Sequence, residues 1–405
     1  MKVSPAAKKA LLIGSMCSLS YLAVYVAKNI LSAASPQMIE GGQFTTENIG
    51  TLSSVYFIAY AIGQLINGKL GDVIKGKYMI SIGLLLAGIC HMLFLAMADR
   101  PMVLYVIYGA MGFSLSMIYG PMTRIVAENT QMPYTTRCSL GYTFASFVGS
   151  PLAGVLAALF IWRTVFSTTG VLLILMGCVC FVVFTLFERA GLVEYNKYRK
   201  PKETGGIAVL IKHQIIKFTL IAAITGVVRT SVVFWLPTYL TQHLGFSPER
   251  SAMLFTIATC VISLTAFVAI FIYERLGQNM DLTILLAFCS AAICFMGVFV
   301  VRNSAINIVL MILAIFSSNC ASSMLWSRYC PGLRDTGMVS SATGFLDFVS
   351  YMAASAATKV MASMAGNTGW STLILSWFSL MVIGVIIALP YKKLSKKGKN
   401  AVAAD

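Results

Sequence analysis

Charge is what this chain has least of. Asp, Glu, Lys and Arg make up 11% of its 405 residues, against roughly 25% in a soluble globular protein. Acids are the scarcest, 14 Asp and Glu against 30 Lys and Arg, for a net charge of +16. With 58% hydrophobic residues and a mean hydropathy of +0.82, there is too little polar sequence to cover one large water-soluble core. There are three histidines, and the ten cysteines include no C-x-x-C pair. No metal site or disulfide framework is implied, and cysteines such as Cys178, Cys180, Cys289 and Cys294 sit in apolar runs where they act as small hydrophobes. No G-x-x-x-x-G-K-[ST] is present, so this chain is not expected to use ATP. No catalytic constellation appears, so neither an enzyme nor a cofactor is expected. The first apolar run is too long for a cleavable signal.

What is present is a series of twelve apolar runs, about 11–35, 48–68, 78–97, 102–125, 138–160, 164–187, 214–241, 249–273, 281–301, 305–327, 338–364 and 371–390. Each is near or above the ~20 residues that a spanning helix needs. The expected fold is an all-α membrane protein of twelve transmembrane helices. The cations set its orientation. They cluster at Lys2, Lys8 and Lys9, at Lys69, Lys75 and Lys77, and at Arg124 and Arg137. Further clusters are Arg189 to Lys202 and the tail from Lys392 to Lys399. The intervening loops hold single cations. By the positive-inside rule both termini and the central loop are cytoplasmic. The basic charge is thereby topology, spread over short loops, and no nucleic-acid partner is expected.

The polar segment near 188–212 divides the chain six helices against six. The expected domains are an N-terminal half at 1–190, a central loop at 191–212, a C-terminal half at 213–390 and a basic tail at 391–405. Internal similarity recurs at an offset near 201 residues. Lys28 faces Arg229, Phe44-Thr45-Thr46-Glu47 faces Phe246-Ser247-Pro248-Glu249, and Ser146-Phe147-Val148 faces Asp347-Phe348-Val349. Both tetrapeptides place a hydroxyl N-cap before a helix and an acid in its first turn. Two parallel six-helix repeats imply a substrate site between the halves near the membrane midplane.

Lys28 and Arg229 each stand in an apolar run without an acid nearby in sequence. A charge at that depth costs several kcal/mol, roughly 3 or more, so it marks a functional site. Tyr21, Tyr25 and Lys28 share one helix face by their spacing. Asp347 lies ~15 Å into the eleventh run at 1.5 Å per residue. It has three readings: an ion pair with Lys28 or Arg229, a contact to a substrate cation or hydroxyl, or a proton site. His91 reads as a packed polar residue and Lys359 as a snorkelling one. Trp326, Tyr105 and Tyr108 read as packing or interface aromatics, and Tyr119 as a cavity candidate.

The loop Gly68-Lys69-Leu70-Gly71-Asp72-Val73-Ile74-Lys75-Gly76-Lys77 resembles the G-x-L-x-D-x-x-G-[KR]-[KR] loop of the major facilitator superfamily, with Gly76 one position late. Within it, Tyr21-x-x-x-Tyr25-x-x-Lys28-Asn29 before Pro36 resembles the organophosphate:phosphate antiporters. So does Arg229-x-x-x-x-x-Trp235-x-Pro237-Thr238-Tyr239-Leu240. The resemblance implies two pseudosymmetric six-helix halves in a bacterial inner membrane and a monomer. It places Lys28 and Arg229 on the family's phosphate-binding arginines, and Tyr21 and Tyr25 on its site tyrosines. The loop residues Gly68, Gly71, Asp72, Lys75 and Lys77 would serve conformational change. The departures are Lys28 for Arg, Gln64 for a Lys, Gly226 for a Tyr, Ser146 for a His and Phe234 for an acid. Gln64, Ser146 and Asp347 complete the expected site. The expected function is a secondary transporter of a small organic anion, foremost an organophosphate, with inorganic phosphate as exchange partner. Binding would favour closing of the halves on the anion. The alternatives are a proton-coupled carrier of carboxylates or sugar acids, and a non-transporting sensor of sugar phosphate.

Overall fold

The protein is described from a computed structural model that covers residues 4–131, 134–195, 210–211, 213–333, 339–367 and 369–389. The tail and most of the central loop lie outside these residues. Each apolar run falls on one helix: α1 (Pro5–Glu40), α2 (Thr46–Val73), α3 (Gly76–Ala96), α4 (Pro101–Asn129), α5 (Tyr134–Leu159), α6 (Trp162–Arg189), α7 (Ile215–Gln242), α8 (Pro248–Arg275), α9 (Met280–Val300), α10 (Ser304–Tyr329), α11 (Val339–Asn367) and α12 (Trp370–Ala388). No strand occurs among the described residues. Helices are the structures that satisfy their own backbone in lipid. Over the described residues, ten of the twelve meet the length and apolarity needed to cross a membrane. On α6, Leu172, Leu175, Val179, Val182 and Leu186 are exposed, an apolar face suited to lipid.

The two matched tetrapeptides start their helices as expected. Thr45 caps α2 in a box with Asn48, and Ser247 caps α8. Glu47 and Glu249 lie in the first turns, where the helix dipole favours them.

The packing repeats. In the first half α1 packs on α5, α2 on α4, and α3 on α4 and α6. In the second half α7 packs on α11, α8 on α10, and α9 on α10 and α12. The same pairs therefore recur six helices later. Across the halves α2 meets α11 and α5 meets α8, which exchange under the same relation.

The halves are hydrogen-bonded at the end away from the chain termini. Ser32 Oγ donates to the Phe234 carbonyl at 2.6 Å, and Ser35 and Thr238 share a bond of 2.9 Å. Ser54 and Ser355 meet at 2.8 Å, and Gln242 donates to Thr46 at 3.0 Å. Thr256 donates to the Pro151 carbonyl at 3.3 Å. At the terminal end, Gly68 on α2, Gly120 on α4 and Gly344 on α11 border open space. Among the described residues, the hydrogen bonds between the halves lie at the far end or midway, and none lies at the terminal end. Inter-helix hydrogen bonds in membranes average about 0.6 kcal/mol each. Turning a two-state protein from 1:99 to 99:1 takes about 5.5 kcal/mol. The far-end bonds bias the closed arrangement without locking it.

The terminal end is organised by the α2–α3 loop. Glu188, at the end of α6, pairs with Lys75 at 2.7 Å and Lys77 at 2.6 Å. The bond to Glu188 raises the Lys75 ammonium above its ordinary pKa. Arg124 on α4 donates to the Gly71 carbonyl at 2.6 Å and pairs with Glu128 at 2.7 Å. The side chain of Asp72 lies outside the described residues.

Candidate functional site

Lys28 sits two-thirds of the way along α1 and points across the interface to α11. Its Nζ donates to the Tyr351 hydroxyl at 2.6 Å. It also stands 4.6 Å from the centre of the Tyr351 ring, 5.0 Å from that of Tyr60 on α2 and 5.4 Å from that of Tyr25. The faces of three rings thus surround the ammonium, and each ring face attracts a cation. Tyr21 follows one turn below, with ring centres 5.0 Å from Tyr25 and 5.4 Å from Tyr119. Tyr142 closes this group at 6.2 Å from both Tyr21 and Tyr119.

Arg229 comes from the other half. The α7 backbone widens into a π-turn at Val227–Val232, which carries Arg229. Such turns re-aim a side chain and often occur at functional sites. Just before it, Gly226 lies against α11. A Cβ there would stand 2.3 Å from Ser350 Oγ and 2.6 Å from the Ser350 carbonyl oxygen. No tyrosine fits at 226 with α11 so near. The aromatic ring is supplied instead by Tyr351, the next residue on α11.

Arg229 Nη2 stands 3.7 Å from Asp347 Oδ1 and 3.4 Å from Ser350 Oγ. Its guanidinium carbon is 5.7 Å from the Trp326 ring centre and 5.8 Å from that of Tyr351. Both cations thus lie within 6 Å of one tyrosine ring, one from each half. The side chains of Arg229 and Asp347 keep 32% and 28% of their exposure, so the pair is only partly buried. Of the readings open for Asp347, the ion pair is the contact observed.

The other expected residues are less central. Gln64 is half-buried one turn beyond Tyr60 and forms no hydrogen bond with the described residues. The side chain of Ser146 lies outside the described residues. Phe234 is buried and packs on Trp235 and Phe57. His91 is buried, with Nδ1 3.1 Å from the Ala87 carbonyl and its ring 5.4 Å from Phe166, a packed residue as read. Lys359 is exposed. The sequence reading missed Tyr60, Tyr142 and Tyr351, and set Trp326 aside as packing. The four-residue spacings Tyr60–Gln64 and Asp347–Tyr351 were a usable signal, since they put each tyrosine on the face of an expected site residue.

A half-buried cation from each half, both within 6 Å of one tyrosine ring, is a transporter's arrangement. The Major Facilitator Superfamily profile matches residues 17–358. The chain belongs to that superfamily. It is a multi-pass membrane transporter and not an enzyme. The glycerol-3-phosphate transporter of Bacillus subtilis is 25% identical over 58% of this chain and 58% of its own length. The hexuronate transporter of the same organism is 23% identical over 85% of each chain. The phosphoglycerate transporter protein of Salmonella typhimurium is 22% identical over 94% of this chain and 87% of its own. In fold, the chain is similar to a bacterial homologue of the human lysosomal transporter Spinster, solved inward-facing and unoccupied. The TM-score is 0.74 at 12% identity, over 94% of this chain and 96% of that one.

Proposed function

We propose that the protein carries a small organic anion across a bacterial inner membrane by alternating access, with Lys28 and Arg229 as the anion's two ligands. The observation that carries this reading is their convergence on Tyr351 from opposite halves. A charge is costly in an apolar interior, and an anion between two cations recovers part of that cost. Phosphorylated compounds are the first candidates, because the helix-one and helix-seven motifs resemble phosphate exchangers and two of the relatives above carry phosphate names. The charge bias of the loops favours both termini in the cytoplasm. The terminal end is then the inward one, where Gly71, Lys75 and Lys77 tie α2 and α3 to α4 and α6. The polar segment near 188–212 supports the domain limits at 190 and 212.

The test is a thermal-shift screen of purified protein against organophosphates, phosphonates and carboxylates, followed by uptake into proteoliposomes. A ligand raises the melting point in proportion to ln(1 + [L]/Kd). Counterflow driven by internal phosphate supports exchange. If Lys28→Ala and Arg229→Ala both keep the full shift, the two-cation site is wrong. Binding without flux would make the protein a sensor.

A second reading is a proton-coupled carrier of a carboxylate or sugar acid. The Arg229–Asp347 pair favours it, since an acid freed from its arginine in such a cavity can take a proton. Uptake that needs a pH gradient and ignores phosphate distinguishes it.

A further inference from the structure

Arg229 and Lys28 are unlike in one respect that bears on the substrate. Lys28 has neutral partners: the Tyr351 hydroxyl and three rings. Arg229 has neutral partners in Ser350, Trp326 and Tyr351, and one acid, Asp347. The contact with that acid is loose. It is a single approach of 3.7 Å, whereas an arginine fork can meet a carboxylate through two shorter bonds. For comparison, Lys77 and Glu188 meet at 2.6 Å. Both members of the looser pair are partly exposed. An arriving anion can reach Arg229 and take the place of Asp347 without breaking a tight bond.

We infer that Asp347 is a built-in competitor for Arg229, and that it sets the site to accept a singly charged organic anion. Two cations and one carboxylate leave one positive charge to balance. A carboxylate ligand neutralises it. A fully ionised phosphate monoester, near −2 at neutral pH, brings one charge too many beside a carboxylate that it has just displaced. Like charges so close in a poorly solvated cavity repel strongly. This inference rests on the anion-carrier reading and moves the substrate to its carboxylate branch, with a sugar acid as the first chemistry to try.

Two probes that share a pyranose ring and differ in charge decide it: glucuronate and glucose 6-phosphate, at pH 8. The wild type should bind glucuronate about tenfold more tightly, since each 1.4 kcal/mol of unbalanced charge is a factor of ten. Asp347→Asn, which keeps the shape and removes the charge, should reverse the preference. Tighter binding of glucose 6-phosphate by the wild type overturns the inference without any variant. An Asp347→Asn protein that still prefers glucuronate overturns it too, because the selection then comes from elsewhere. Asp347→Ser substitutes if the Asn protein does not fold. If no anion in the screen binds, the anion-carrier reading fails and this inference with it. If anions bind but the charge preference is absent, only this inference fails.

Discussion

The crossing of α1 on α5 in the first half corresponds to that of α7 on α11 in the second. In the first, Gly149 of α5 receives Tyr25 of α1, and a Cβ on the glycine would stand 2.4 Å from Tyr25 Cβ. In the second, Gly226 of α7 receives Ser350 of α11. Tyr25 and Gly226 are 201 residues apart, as are Gly149 and Ser350. The backbone relation is kept while the glycine changes helix. The aromatic side chain changes helix with it: Tyr25 leaves α1 in the first half, and Tyr351 leaves α11 in the second. Both rings end beside Lys28. Arg229 loses the ring that position 226 would have carried and gains Asp347 and Ser350. A symmetric packing rule thus gives asymmetric electrostatics, one cation in an aromatic cage and one beside an acid.

The sharpest way to break this comparison is to remove each charge in turn. Arg229→Gln leaves Asp347 without its cation as well as deleting a ligand. The uncompensated carboxylate then faces the anion directly, and like charges so placed cost several kcal/mol, so anion affinity should fall by roughly 100-fold, about 2.7 kcal/mol. Lys28→Gln strands no acid and should cost about tenfold. Titration calorimetry with the anion found in the screen measures both. Equal losses would mean that the two environments do not differ in effect. Adding Asp347→Asn to Arg229→Gln should recover melting temperature but not binding.

The glycine exchange predicts a smaller difference, read in stability. At Gly226 the nearest backbone atoms of α11 are 2.6 and 2.8 Å from the added Cβ. At Gly149 the nearest backbone atoms of α1 are 3.1 Å away. Gly226→Ala should therefore cost about 2 kcal/mol by overpacking. Gly149→Ala should cost less, about 1 kcal/mol: Tyr25 Cβ, 2.4 Å away, is fixed to α1 and gives way only if the helix shifts, while Ala recovers about 1 kcal/mol of helix propensity. Unfolding in detergent and denaturant compares them. A larger loss at Gly149 would show that the first crossing is the tighter one.

Most of the fold was legible because lipid leaves the chain few choices. Length of apolar run, loop cations and the hydroxyl caps at Thr45 and Ser247 each have a local cause in the sequence. The two cations were legible for the same reason, since nothing apolar explains them. Tyr351 and Trp326 were not. An aromatic in an apolar helix looks alike whether it packs against a neighbour or faces a cavity, and only the meeting of α11 with α1 and α7 separates the cases. The π-turn beneath Arg229 has no side-chain signature of its own: Val227–Val232 is a β-branched stretch like others in the chain. Gly226 did carry a signal, as a missing aromatic whose replacement had to come from another helix.

The smallest change addresses the Lys28 side alone. Tyr351→Phe keeps the ring between the cations and deletes the hydroxyl that accepts from Lys28 at 2.6 Å. If the ring faces carry most of the hold on Lys28, the ammonium stays in place, and the loss is that of one hydrogen bond to a charged group, about 1.5 kcal/mol before relaxation. Two other rings remain within 5.4 Å, so part of it should be recovered, leaving anion affinity lowered about fivefold. Tyr351→Leu removes ring and hydroxyl together and should cost distinctly more, because Arg229 faces the same ring at 5.8 Å. If the two substitutions weaken binding equally, the hydroxyl does all the work, and the cage around Lys28 is packing rather than cation recognition.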